Sequence, residues 1–181
     1  MSYIKLDINL FDEIKKKYRR LGNMFCTLTS NNNTVIAGSL SNEGLIYSED
    51  KGKTWHQSNI ISGDFFCLTV IGSTIIAGSN FNKGLYYSKN KGKKWKKSNN
   101  KHDNFMCLTT SSNTVIAGSY SNEGLYYSEN KGKKWKKSNI TSGNFYSLAI
   151  IDDIIIASSN FRKSLYYSED NGKTWNRSNI D

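Results

Sequence analysis

Gly84-Leu85-Tyr86-Tyr87-Ser88-Lys89-Asn90-Lys91-Gly92-Lys93-Lys94-Trp95 returns forty residues later as Gly124-Leu125-Tyr126-Tyr127-Ser128-Glu129-Asn130-Lys131-Gly132-Lys133-Lys134-Trp135. Looser copies end at Trp55 and Trp175, so four tryptophans stand 40 residues apart. A fixed period of this length marks a repeat architecture and outranks every local signal. Upstream of each copy runs an apolar segment: Thr34–Gly38, Thr74–Gly78, Thr114–Gly118 and Ile154–Ser158. Before that comes Phe66-Cys67-Leu68-Thr69 or its counterpart. Each unit therefore reads as four short strands, in the second repeat Phe66–Val70, Thr74–Gly78, Leu85–Ser88 and Lys94–Ser98, with turn residues between them. The second strands are apolar on both faces, as in a sheet sandwiched between neighbouring sheets. Four strands in about 40 residues is one propeller blade. The expected fold is all-β, a small β-propeller of four four-stranded blades.

The turn before each tryptophan carries a resemblance. Ser48-Glu49-Asp50-Lys51-Gly52-Lys53-Thr54-Trp55 and Ser168-Glu169-Asp170-Asn171-Gly172-Lys173-Thr174-Trp175 resemble the Asp-box, S-x-D-x-G-x-T-W. The middle copies have Asn90 and Asn130 for Asp, and Lys94 and Lys134 for Thr. The chain thus resembles the bacterial neuraminidase repeat (BNR) family of sialidases, sortilin-type receptors and photosystem assembly factors, over roughly residues 24 to 180. The resemblance implies a structural hairpin lying away from the ligand face. Ser and Asp bond their own turn, Gly52 takes a positive φ, and the Trp ring packs on the blade.

Repeats one and three share Ser41-Asn42-Glu43-Gly44 and Ser121-Asn122-Glu123-Gly124, while two and four share Asn80-Phe81-Asn82-Lys83 and Asn160-Phe161-Arg162-Lys163. The duplicated unit is a pair of blades, which favours a four-bladed ring in one chain. A homodimer completing an eight-bladed ring is the alternative. Residues 1–23 form an N-terminal extension and 24–181 the repeat domain. In the extension Asn9 caps a helix, Leu10, Phe11, Ile14, Tyr18 and Leu21 share one face, and Gly22 ends it. A degenerate half-blade is the rival reading.

The hydrophobic fraction of 37% supports a core, and three cysteines argue against a disulfide framework. The start of the chain lacks the apolar stretch of a signal peptide and no run is long enough to span a membrane. A cytoplasmic location is the default expectation. Cys26, Cys67 and Cys107, with Ser147 in the fourth repeat, are read as equivalent positions of successive first strands, packed in the core and too far apart to bridge. No metal or cofactor is expected.

Two surfaces are candidates for function. The loops between second and third strands and between blades present Phe81, Tyr120 and Phe161 beside Asn80, Asn122, Asn160 and Arg162. Rings among amides suit a glycan or a protein, bound in a multivalent, lectin-like way. The second surface follows from the formal charge of +10, which AT-rich codon usage also explains. Lys93, Lys94, Lys96 and Lys97, with Lys133, Lys134, Lys136 and Lys137, would form a basic stripe on the outer strands of repeats two and three. It would serve a polyanion such as nucleic acid or sulfated glycan, or guard exposed edges against aggregation.

Catalysis is not expected. A sialidase of the resembled family needs three converging arginines and a Phe-Arg-Ile-Pro segment, whereas this chain has Arg19, Arg20, Arg162 and Arg177 and no proline. A glycosidase of another kind would need paired carboxylates, with Asp64, Asp103, Asp152 and Asp153 the acids standing in loops.

Overall fold

The computed structural model describes residues 24–80, 84–99, 104–160 and 164–179. The expected N-terminal helix or half-blade lies outside them. The described chain folds into four antiparallel four-stranded sheets, each a meander in chain order. Blade one comprises β1 (Phe25–Asn31), β2 (Thr34–Ser39), β3 (Leu45–Ser48) and β4 (His56–Gln57). Blade two comprises β5 (Phe65–Ile71), β6 (Thr74–Ser79), β7 (Leu85–Ser88) and β8 (Trp95–Lys97). Blade three comprises β9 (Phe105–Ser111), β10 (Thr114–Ser119), β11 (Leu125–Ser128) and β12 (Lys136–Lys137). Blade four comprises β13 (Phe145–Ile151), β14 (Ile154–Ser159), β15 (Ser164–Ser168) and β16 (Asn176–Arg177). These strands match the expected ones to within a residue or two. No helix of the described residues is long and apolar enough to cross a membrane.

Each Asp-box closes on itself. The Ser48 hydroxyl donates to Asp50 Oδ1 (2.7 Å) and accepts from the Gly52 N–H (2.8 Å). Asp50 also accepts from the Thr54 N–H (2.9 Å) and hydroxyl (2.6 Å). In the middle copies Asn90 keeps the bond to Ser88 (3.0 Å) and to the Lys94 N–H (2.9 Å), so the turn survives without charge. The Thr54 hydroxyl and N–H, with the Ser48 hydroxyl, hold the Asp50 carboxyl far below its usual range. Glu49 and Glu129 are lowered too, chiefly by bonds from Lys93 and Lys173. A depressed folded pKa stabilises above the unfolded value and is lost as pH falls through the folded one. Thermal melting should therefore hold level down to about pH 5 and drop below about pH 4, and Asp50→Asn should flatten that drop. A melting temperature rising below pH 4 would contradict this.

The hydrophobic core lies between blades rather than within them. Ile36 and Leu45 of blade one pack with Phe65, Ile75, Ala77 and Trp95 of blade two. Ile76 and Leu85 meet Phe105, Val115, Ala117 and Trp135 in the same way, and Ile116 and Leu125 meet Phe145, Ile155, Ala157 and Trp175. Each junction is clamped by an asparagine: Asn59 Oδ1 accepts the Trp95 N–H (2.7 Å) while its amide donates to the Trp95 carbonyl (3.2 Å). Asn99 holds Trp135 and Asn139 holds Trp175 likewise. The Asp-box glycine completes the fit, since a Cβ on Gly92 would press on Ile36 at 2.8 Å.

Inner strands pack β1 on β5, β5 on β9 and β9 on β13. β1 and β13 form no such fourth junction. The four-bladed ring favoured by the even repeat count is thus not what the described strands make; they make an open arc. The cysteine alignment is also corrected. Thr27, Cys67, Cys107 and Ser147 are the equivalent residues, each opposite Gly38, Gly78, Gly118 or Ser158. Cys26 stands one position earlier, at a bulge, from which its thiol still reaches the Phe65 carbonyl at 3.2 Å. Cys67 and Cys107 donate to the Phe105 and Phe145 carbonyls at 3.6 Å. All three thiols are free.

Candidate functional site

The meander puts two different surfaces at its two ends. Asp-boxes and β1–β2-type turns share one end, with Asp152 and Asp153 in the β13–β14 turn. The loops from second to third strand, and from blade to blade, share the other.

At the loop end several expected ligand residues are engaged by the fold itself. The Asn122 side-chain oxygen accepts from the Gly143 N–H (2.7 Å), and its own N–H donates to Asn144 Oδ1 (2.7 Å). Its φ of 61° is the left-handed conformation that asparagine tolerates. Asn42, Gly63 and Asp64 repeat this lock in blade one. Asn80 is buried, and its N–H donates to the Asp64 carbonyl (3.0 Å). Phe81, Phe161 and Arg162 lie outside the described residues. Tyr120 and Asn160 do come together, around a residue that the sequence did not single out. The Tyr120 and Tyr146 rings meet edge to face at 5.6 Å, and the Asn160 amide donates to Tyr146 Oη (3.0 Å). Tyr146 is 39% exposed despite these contacts. Burial, and then Tyr120, raise its hydroxyl pKa, so the phenol stays protonated.

Tyr146 occupies a position with its own logic. Every inner strand carries a bulge just after its first residue, and the bulged residues are Cys26, Phe66, Met106 and Tyr146. A bulge leaves one residue out of the ladder and re-aims its side chain. The flanking Phe25, Phe65, Phe105 and Phe145 are invariant among the repeats, yet the bulged residue differs in all four. All four are apolar or soft and at least partly accessible. That contrast, constant neighbour against varied residue, was the sequence signal to find them.

Along the outer strands the expected lysine stripe divides. Lys93 pairs with Glu49 (3.0 Å), Lys136 with Glu129 (3.1 Å) and Lys137 with Glu123. Lys97 lies over the Tyr86 ring at 5.9 Å. Lys134 is exposed. Lys94, Lys96 and Lys133 instead join Lys89, Tyr87 and Asn90 around a cavity of about 370 Å³. The Lys133 ammonium, within bonding reach, lowers the Lys89 pKa. Burial drives the Cys67 thiol up, Cys107 to about 12 and Cys26 to about 11, so none is a ready nucleophile.

A family model for the BNR/Asp-box repeat matches residues 166–177, the fourth copy of the hairpin. The chain carries BNR/Asp-box repeats. No curated protein matches it. Among solved structures, an ancestral GH74 enzyme superposes with a TM-score of 0.72 at 20% identity, over 88% of this chain and 24% of that one. YCF48 from Cyanidioschyzon merolae superposes with a TM-score of 0.62 at 13% identity, over 88% of this chain and 57% of its own. YCF48 bound to D1 peptide gives 0.56 at 18% identity, over 82% and 50%. At these identities the likeness is one of fold: these Asp-box repeats build propeller blades. The chain spans about a quarter of the GH74 enzyme and about half of each YCF48 chain.

Proposed function

We propose that this Asp-box repeat chain is a non-catalytic binding module, and that it takes a peptide segment of a protein partner across the loop face. The observation that supports it is the row of bulged residues, Cys26, Phe66, Met106 and Tyr146, ending at the Tyr120–Tyr146–Asn160 cluster. Soft and aromatic side chains at one repeated position suit the apolar side chains of an extended peptide, and methionine adapts to varied partners. A neighbour in fold has been solved with a peptide bound. A glycan is the competing ligand at the same face.

The test is a peptide array and a neutral-glycan array probed with the native chain and with Tyr146→Ala and Tyr120→Ala. Peptide affinity should fall at least about tenfold in each variant and change little between low and physiological salt. Peptide binding that ignores both substitutions, or retention on the glycans alone, overturns the reading.

One observation favours a second reading. Glu49 faces Lys93 and Glu129 faces Lys173 across their junctions, at 3.0 and 2.8 Å, but the middle junction sets Lys89 against Lys133. A phosphate or sulfate bridging the two would relieve that repulsion. Heparin retention that weakens in Lys89→Gln/Lys133→Gln, with a flatter salt slope, would support it.

A further inference from the structure

The two ends of the arc are the two halves of a junction that the chain already makes three times. On the receiving side, the Trp of blades two, three and four is 4, 6 and 2% exposed, but Trp55 of blade one is 39% exposed. Phe65, Phe105 and Phe145 are wholly buried, but Phe25 is 39% exposed. On the advancing side, Leu45, Leu85 and Leu125 are wholly buried, but Leu165 is 40% exposed. Ile36, Ile76 and Ile116 are buried, but Ile156 is half-buried. The clamp asparagine recurs too: Asn179 stands where Asn59, Asn99 and Asn139 stand. Each group exposed on one end has its customary neighbour exposed on the other.

Charge agrees. Two internal junctions pair a glutamate of one blade with the lysine 44 residues on, Glu49 with Lys93 and Glu129 with Lys173. The same positions at the free ends are Glu169 and Lys53, both exposed. The pairing that fails in the middle of the chain is thus available between its ends.

We propose that a second copy of this chain covers both faces, joining two four-blade arcs head to tail into one eight-bladed ring. Within one arc the two faces do not meet, since β1 and β13 are not packed together. Two arcs are the smallest set that uses every face, and a head-to-tail contact gives a finite assembly only if the rotation closes. In each of the two new junctions Phe25, Val35, Ala37, Ile46 and Trp55 of one copy would receive Ile156 and Leu165 of the other, as their equivalents do inside the chain. The bulged residues would then number eight around a common axis, which doubles the loop-face row.

Sedimentation velocity of the native chain from 1 to 100 µM should give one species of twice 20.5 kDa. Lys53→Glu and Glu169→Lys, both at exposed sites, should each weaken the dimer about tenfold or more, and the double exchange should restore it. Ile156→Asp and Trp55→Asp should each leave a folded monomer by circular dichroism. Mixed together, they should give a dimer held by the one junction in which both faces are native. A monomer at every concentration overturns the proposal and gives the two faces to another occupant. A ladder of larger masses overturns it as well, because the rotation would not close. A dimer indifferent to all four substitutions would lie on some other surface and likewise overturns it.

Discussion

Phe105→Ala should cost about 3–5 kcal/mol of stability and lower the melting temperature by roughly 6–20 °C. Phe105 is wholly buried, and its ring meets Tyr126 edge to face at 5.5 Å. It sits in the middle junction with Cys67, Ile76 and Leu85 of blade two and Val115, Ala117 and Trp135 of blade three. The junction is built on rigid ladders from both sides, so it cannot collapse onto the missing ring and a cavity remains. Blades without cores of their own unfold with their junctions, so loss at this one should spread to the whole arc rather than fray an end. The control is Phe25→Ala, made at a concentration where the chain is monomeric. There the same ring is partly in water already, and the loss should be less than half as large. Chemical denaturation of both variants checks the pair. A loss below about 1 kcal/mol at Phe105 would mean that blades are stable units and that the junctions matter little.

Strand order and strand ends were legible because short-range chemistry sets them. The Asp-box turn is closed by residues two to four apart, and the apolar runs state which strands are covered on both faces. What was hidden lies in register and in rotation. Cys26 looks like the partner of Cys67 by local spelling, Phe-Cys in both, but the ladder aligns Thr27 there and leaves Cys26 in the bulge. A single-residue offset of this kind leaves no hydrophobic trace. It is also what concealed Tyr146, the exposed centre of the loop-face cluster. Ring closure was illegible for another reason: an even count of repeats fixes how many blades exist but says nothing about the angle at which each meets the next. The lysine stripe was read residue by residue as free charge, although three of its eight lysines are paired with glutamates in the same or adjoining blades. The period of 40 carries that pairing, since position 49 of one blade faces position 93 of the next, but only once the blades are known to touch along their Asp-box edges.

Gly124→Ala tests the loop face and the fold together, and should cost on the order of 3 kcal/mol. Gly124 has a φ of 81°, and a Cβ built on it would overlap the carbonyl group of Ile140. That carbonyl cannot retreat, because it accepts the Leu125 N–H at 2.9 Å and so ties the inter-blade loop to the start of β11. The Gly124 N–H meanwhile donates to the Gly143 carbonyl at 3.2 Å, beside the Asn122–Gly143 lock. Blade four shows what happens when this position carries a side chain. There Ser164 takes the place of glycine, without a positive φ, and enters β15 opposite Ser159. An alanine at 124 would push blade three toward that longer pairing and pull the 119–124 loop away from its neighbour. Tyr120 rides on that loop, so its contact with Tyr146 should loosen and peptide affinity should fall along with stability. Ser164→Gly, the converse change, should cost less, chiefly through the entropy of the unfolded chain. If Gly124→Ala left melting unchanged, the loop would have room that the Ile140 carbonyl denies it, and the rigid platform assigned to Tyr120 and Tyr146 would lose its basis.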